Sequence, residues 1–235
     1  MRQFKIIIAA VMTLAVSLNI YAQESTLLPT APLKPYDKVY IDADMEVKLV
    51  KCDESQPLRI TYDLGDSDHE KFKFSTKQGG TLSVILPPNP KSMKPATATI
   101  YYHSIESLNI RGAKVTVDRL ESKILDIKVN YQGSLDGSII AEDIAMSVQS
   151  DSRVEISGRC KYLTLDAASR SKVELRAIEI TSAIINTSSG AVVALNAGDR
   201  LEVKAGAGSA INYWGVPNIL RENKAFMSGS LTKQE

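Results

Sequence analysis

The sequence predicts an all-β protein, a right-handed parallel β-helix (a β-solenoid) with coils of about 19 residues. Apolar pairs recur along the chain, Ser, Gly and Ala separate them, and no long helical pattern with caps occurs. The pairs begin at Leu125, Ile144, Leu163, Ala183 and Leu201, and second pairs follow ten residues later from Leu135, Val154, Val173, Val193 and Ile211. Starting points 19, 19, 20 and 18 residues apart indicate stacked coils. The right hand is the one expected for parallel crossovers.

Residues 1–22 have the features of a secretory signal peptide. Arg2 and Lys5 precede an apolar run at 6–18, and residues 20–22 offer a cleavage site before Gln23. The run is short for a membrane-spanning helix, although an uncleaved anchor is the alternative. We therefore expect an exported protein in the periplasm, on the outer-membrane surface or outside the cell. Residues 23–37 contain three prolines and are predicted to be an extended linker.

Charge and cysteine content argue against a nucleic-acid-binding protein and against a disulfide scaffold. The chain has 28 basic and 27 acidic residues, a balance that argues against a nucleic-acid partner. Cys52 and Cys160 are the only two cysteines, so we expect isolated thiols, with one bridge between them as the alternative. No segment after the signal sequence is apolar enough to cross a membrane.

Residues 38–217 are predicted to form one β-helix domain. Strand-like segments occupy 38–41, 46–50, 58–62, 72–75 and 81–86, and most of them alternate apolar and polar residues. The run Pro87-Pro88-Asn89-Pro90 ends the last segment because proline cannot donate to a strand ladder. A strand resumes at 97–102, and residues 105–117 form an irregular coil. Residues 218–235 are a C-terminal cap or tail, which covers the open end, docks on a partner or has no fixed structure.

Stacking explains why the repeat occurs. A single coil cannot bury its apolar pairs, whereas stacked coils pair every strand with its counterpart and align the apolar positions in columns. Small residues fall between the paired strands, where the chain bends and side chains stack closely: Ser150, Ser169, Ser189, Ser152, Ser171 and Ser209. Four glycines are expected to provide positive φ there: Gly133, Gly190, Gly206 and Gly208.

The closing segment Gly208-Ser209-Ala210-Ile211-Asn212-Tyr213-Trp214-Gly215-Val216-Pro217 and the Ser/Gly-rich turns before it resemble the autotransporter-adhesin head GIN domain family. The resemblance covers about residues 36–220. It implies an exported bacterial protein with a pectin-lyase-like β-helix and without a recognised catalytic set, and a role in adhesion. The sequence departs from the family pattern at Ala210 and in the turns at 151–153 and 169–171, which leaves any function carried by the turns in doubt.

Two charged columns follow from the repeat register. Asp136, Glu155 and Glu174 occupy equivalent positions eleven residues after each coil begins, and Ser134, Arg153 and Lys172 lie two residues earlier on the same outward faces. Stacked like charges repel, so the basic column is expected to pair with the acidic one. We interpret the columns as a solvated surface ladder. A catalytic or calcium site is the alternative.

Histidines and aromatic residues are considered as metal ligands and as sugar-stacking groups. His69 and His103 have no metal-ligand spacing with either cysteine, so we predict neither a metal site nor a cofactor. Aromatic side chains that could stack on sugar rings are Tyr101, Tyr102, Tyr131, Tyr213 and Trp214. Tyr131 replaces the small residues of its column and is expected to protrude. Tyr213 is expected to fill the interior and Trp214 to cap the last coil.

The sequence therefore predicts a non-catalytic exported binding module that contacts a cell-surface glycan or a protein. Its predicted binding surface consists of Tyr131, Arg153, Glu155, Lys172, Glu174 and Trp214. One alternative is a polysaccharide lyase or hydrolase, because parallel β-helices often cleave polysaccharides and such chemistry needs paired carboxylates. The other is a structural envelope scaffold built by homo-oligomerisation.

Overall fold

The computed structural model describes residues 28–206, 208–223 and 229–235, and within them the chain forms strands and no helix. The strands are β1 (Thr30–Pro32), β2 (Lys38–Ala43), β3 (Met45–Lys51), β4 (Arg59–Asp63), β5 (Lys73–Lys77), β6 (Thr81–Leu86), β7 (Ala96–Tyr102), β8 (Ser107–Arg111), β9 (Lys114–Asn130), β10 (Ser134–Val148), β11 (Arg153–Ala167), β12 (Lys172–Leu175), β13 (Ile178–Thr187), β14 (Val192–Asn196), β15 (Arg200–Ala205), β16 (Ala210–Trp214), β17 (Ile219–Glu222) and β18 (Ser230–Lys233). The predicted signal peptide lies outside the described residues. Across the described ranges, no helix has the length and apolarity needed to span a bilayer.

The strands stack in parallel as a β-solenoid, which confirms the predicted fold class. In each regular coil the inward–outward alternation breaks twice, so the coil has three faces. In the coil that starts at β10, face 1 covers 134–137, face 2 covers 139–141 and face 3 covers 143–148. A turn then leads to face 1 of the next coil.

The predicted interior columns are present in the structure. On face 3, Leu125 pairs with Ile144, Ile144 with Leu163, Leu163 with Ala183 and Ala183 with Leu201. These five side chains are at most 2% exposed. On face 1 the column from Leu135 through Val154, Val173 and Val193 to Ile211 is paired and buried in the same way. Vertical neighbours are therefore about 19 residues apart.

Four successive coils turn from face 3 to face 1 through two consecutive residues in the left-handed region. These pairs are Tyr131-Gln132, Ser150-Asp151, Ser169-Arg170 and Ser189-Gly190, with φ between 52° and 75°. Backbone hydrogen bonds continue through the turns, since the N–H groups of Gln132, Asp151 and Arg170 donate to the next coil, as from Asp151 to the Ser169 carbonyl at 2.9 Å. The stacked turns thus hold large polar residues as well as small ones.

Small size is required one position later, in a turn column that consists of Gly133, Ser152, Ser171, Ala191 and Ser209. The four members with side chains are at most 2% exposed. The expectation that Gly133 provides a positive φ is wrong, because its φ lies outside that region. A Cβ at Gly133 would lie 3.0 Å from the Asn130 carbonyl oxygen and 3.1 Å from Ile110 Cγ2, so a side chain there would crowd both neighbours.

The N-terminal coils do not stack in sequence order. Strand β2 lies between β6 and β8, and β3 lies between β7 and β9, so the chain starts one coil above the bottom of the stack. Three antiparallel strands complete the lower end: β4 pairs with β7, β1 with β4, and β5 with β6. Tyr62, Phe72 and Phe74 cluster there with ring centroids 4.8–5.9 Å apart.

The described part of the predicted linker is attached to this lower end. Strand β1 lies within the segment 23–37, and Tyr36 is buried in the core with its hydroxyl donating to the Tyr101 carbonyl at 2.8 Å. Residues 30–36 of the predicted extended linker therefore have backbone and core partners on β4 and β7.

The described part of the C-terminal segment adds strands to the upper end. Strand β17 pairs with β15 and places Leu220 over Leu201, while β18 pairs with β16 and places Leu231 over Ile211. Of the three roles considered for residues 218–235, these strands have the geometry of a cover. Cys52 and Cys160 are both free thiols, as expected, and burial raises the pKa of Cys160 to about 12.

Candidate binding surface

The two charged columns stand on face 1, as the repeat register predicts. Asp136 pairs with Glu155 and Glu155 with Glu174 along β10, β11 and β12. Arg153 lies beside Lys172, two residues earlier on the same strands. Arg153 Nη2 is 2.7 Å from Glu155 Oε2, so the predicted pairing between columns occurs at this coil.

Glu174 has a different partner from the one expected. Arg176 binds its carboxylate with two nitrogens, Nε at 2.7 Å and Nη2 at 3.0 Å, and this contact raises the pKa of the guanidinium. Lys172 makes no ion pair within the described residues. Sequence reasoning missed Arg176 because it follows the end of β12. Arg176 is nevertheless two residues from Glu174, as Arg153 is from Glu155, and this spacing could have predicted the ion pair.

A groove of about 620 Å³ runs along the corner between face 1 and face 2. Its charged lining consists of Asp118, Asp136, Glu155, Glu174 and Arg176. Gly137 lies in the groove at φ 144°, where an added Cβ would be 1.9 Å from the Val117 carbonyl oxygen. Any side chain at position 137 would therefore clash with the neighbouring coil. The groove continues across successive coils.

Trp214 extends the charged surface rather than capping the last coil. The Arg176 guanidinium lies 5.0 Å from the Trp214 ring centroid, within the range of a cation–π contact. The predicted cap is wrong because β17 and β18 continue the stack beyond this residue. Tyr213, in contrast, is 7% exposed and fills the interior as expected. Glu174, Arg176 and Trp214 thus form one contact chain beside the groove.

Tyr131 lies at the turn, at the opposite edge of face 1 from the groove. Its side chain is 58% exposed and protrudes as predicted, with the Arg111 guanidinium 4.0 Å from its ring centroid. Arg111 in turn pairs with Asp42 at 3.2 Å. The structure therefore joins Arg153, Glu155, Lys172, Glu174 and Trp214 on one face and places Tyr131 apart from them.

The other aromatic candidates do not form a common platform. Tyr102 is fully buried, its hydroxyl donates to the Arg119 carbonyl at 3.0 Å, and burial raises its pKa to about 12. Tyr101 is partly buried under the Arg59 guanidinium, which lies 3.6 Å from its ring centroid. Of the five aromatic residues, Tyr131 is the exposed one, and Tyr101 and Trp214 are partly buried.

Comparison with known proteins agrees with this architecture. The family described as "Putative auto-transporter adhesin, head GIN domain" matches residues 35–217. The chain belongs to this family. No curated protein is significantly similar to it in sequence.

Solved structures share the fold of this GIN domain at low sequence identity. A putative adhesin from Bacteroides fragilis has a TM-score of 0.79 at 14% identity, over 88% of this chain and 96% of that one. A putative adhesin from Parabacteroides merdae has a TM-score of 0.66 at 10% identity, over 88% and 95%. A putative lipid binding protein from Parabacteroides distasonis has a TM-score of 0.62 at 16% identity, over 88% and 96%. These likenesses show the fold alone.

The described surface of the GIN domain presents charged and hydrogen-bonding side chains. No group of three or more His, Cys, Asp or Glu side chains is arranged to hold a metal ion in the ranges that the structure describes. Asp136, Glu155 and Glu174 stack as a column instead of converging on one point. His103 is partly buried, with Nε2 2.9 Å from the Gln56 carbonyl oxygen.

Proposed function

We propose that this GIN domain is a non-catalytic exported adhesion module, which binds an extended glycan or protein segment along the groove between face 1 and face 2. The observation that carries the proposal is the groove itself. It crosses successive coils, so its lining groups repeat about every 4.8 Å along a straight line. A partner with its own regular repeat can contact the same groups coil after coil.

The carboxylates favour binding over catalysis. Glu155 and Glu174 are each held by an arginine at 2.7 Å, and an ion-paired carboxylate is poorly placed to accept or give a proton. A lyase or hydrolase would need at least two carboxyl groups free to act on opposite sides of a bond. The paired column is instead suited to fixing a partner in register.

The charge of the groove defines the partner it would prefer. Four carboxylates and one guanidinium line it, so a hydroxyl-rich or basic partner is favoured and a strongly acidic one is repelled. Trp214 adds an aromatic surface next to Arg176. Membership of an adhesin family agrees with a partner on a cell surface.

The test is a glycan-array and pull-down screen with wild-type protein and an Asp136→Lys variant. We expect the variant to bind its partner at least tenfold more weakly, because the substitution reverses the charge at the middle of the groove. Glu179→Lys, on face 2 outside the groove lining, makes the same charge change and is the control. Failure to capture any partner, or equal binding by Asp136→Lys and wild type, would contradict the proposal.

A further inference from the structure

A second cavity lies away from the groove, at the turn edge of the lower coils. This edge pocket has a volume of about 230 Å³ and is the more enclosed of the two. Its side-chain lining includes Asp44, Glu46, Ser67, Asn89, Met93 and Lys114. The bend between β2 and β3 and the next turn, at Gly112, form one side. The loops around residue 67 and around 89–95 form the other.

The two loops are fixed to each other before any ligand binds. The Asp66 carboxylate accepts hydrogen bonds from the backbone N–H groups of Met93 and Lys94 at 3.1 and 3.0 Å. Asn89 Nδ2 donates to the Asp66 carbonyl at 3.1 Å, and Lys94 Nζ lies 2.7 Å from Asp63 Oδ2. A pocket with walls already in place loses little conformational entropy on binding.

The lining is polar and carries both signs of charge. Glu46 Oε1 lies 3.4 Å from Lys114 Nζ, whereas Asp44 is exposed and has no ion pair in the described ranges. Carboxylates accept hydrogen bonds from hydroxyl groups, an ammonium donates to hydroxyl and ring oxygens, and Ser67 can do either. Two carboxylates against one ammonium leave the pocket net negative, which disfavours an acidic ligand.

The volume limits the ligand to a small molecule or one unit of a polymer. Drug-sized ligands occupy pockets of about 300–1,000 Å³, and this one is smaller. The Tyr131 turn stacks directly on the Gly112 turn, since a Cβ at Gly112 would lie 3.8 Å from the Tyr131 carbonyl oxygen. The exposed Tyr131 ring therefore lies one coil from the pocket, where its apolar surface could contact a neighbouring sugar unit.

We propose that the edge pocket binds a single neutral sugar ring, such as the terminal unit of a glycan. Asp44, Glu46 and Lys114 bind its hydroxyl groups, and the loops joined through Asp66 enclose it. The edge pocket shares none of its lining residues with the groove, so this proposal does not depend on the function assigned to the groove.

The test is saturation-transfer NMR on the mature chain with four probes: methyl glucoside, methyl galactoside, N-acetylglucosamine and glucuronic acid. We expect transfer to at least one neutral probe at millimolar concentration and a weaker signal from glucuronic acid. The double variant Asp44→Asn/Glu46→Gln keeps the shape of the pocket and removes both negative charges. It should bind the neutral probe at least tenfold more weakly.

Glu179→Gln is the matched control and should bind as wild type does, and thermal unfolding checks that each variant is folded. The proposal is overturned if no neutral probe gives transfer, if the double variant binds as tightly as wild type, or if glucuronic acid binds best. Because Asp136 lies outside the edge pocket, Asp136→Lys should leave sugar binding unchanged. Loss of binding in that variant would instead assign the sugar to the groove.

Discussion

At the residue scale, the turn column contains interior serines in two different environments. The Oγ atoms of Ser152 and Ser171 are buried without a hydrogen-bond partner in the described part of the chain. Ser209 Oγ, in contrast, donates to the Gly206 carbonyl at 2.6 Å and lies 2.7 Å from Thr187 Oγ1. The same residue type in equivalent positions should therefore contribute differently to stability, because an unpaired buried hydroxyl costs free energy and a paired one does not.

Ser171→Ala is accordingly expected to leave the free energy of unfolding unchanged or to raise it by about 1 kcal/mol. Ala191 occupies the equivalent position one coil further, so the backbone accepts alanine there. Ser209→Ala, the comparison variant, should lower the same free energy by about 1–3 kcal/mol because it removes both bonds. Equilibrium urea denaturation measures both. Equal destabilisation by the two variants would show that the Ser171 hydroxyl has a partner.

At the element scale, the parts of the fold that repeat could be predicted and those that do not repeat could not. The columns that begin at Leu125 and Leu135 follow from spacing because every coil of the C-terminal half is nearly the same length. Glu155 and Glu174 were placed on one face for the same reason. Arg176 was missed because it follows its strand, and the left-handed φ values of Gln132 and Arg170 carry no signal in residues of that type.

The contacts that Asp63 makes with the loops of the edge pocket are predicted to depend on pH. The Lys94 ammonium, and then the Gly65 N–H, hydrogen-bond to the Asp63 carboxylate and hold its pKa below the usual value. A lowered pKa means that the folded state favours the ionised form. The contact is therefore fully present above about pH 4, the ordinary range of aspartate, and is lost as pH falls through the lowered pKa.

Hydrogen exchange of the Gly65 amide, which donates to Asp63, followed by NMR from pH 7 to pH 2.5, measures this loss. Protection, corrected for the intrinsic pH dependence of exchange, should stay constant down to about pH 4 and decrease below it. Asp63→Asn removes the charge, so the Gly65 amide of this variant should already be less protected at pH 7. Protection that persists unchanged to pH 2.5 in wild type would show that the Asp63–Lys94 pair does not hold the loops together.

At the scale of the whole molecule, the order of the coils is the feature that sequence reasoning could not reach. Val39 lies between Leu82 and Leu108, which are 43 and 69 positions away in the chain, so no fixed period connects them. The lower end of this solenoid is closed by antiparallel strand pairs, such as β4 with β7, whose members are far apart in the sequence. At the upper end the closure is local, through β17 and β18. The stability of the two ends should therefore be separable, because each coil contacts mainly its neighbours.

Removal of residues 218–235 tests the upper end. Without β17 and β18, the edges of β15 and β16 and the last members of the interior columns, Leu201 and Ile211, are exposed to solvent. We expect a lower melting temperature and concentration-dependent association in sedimentation velocity, since unpaired strand edges and apolar column ends favour contact between chains. As a graded control, Leu231→Ser should destabilise more than Leu220→Ser, because Leu231 packs against the core and Leu220 is 44% exposed. A truncated chain that stays monomeric with an unchanged melting temperature would show that β17 and β18 are not a cap.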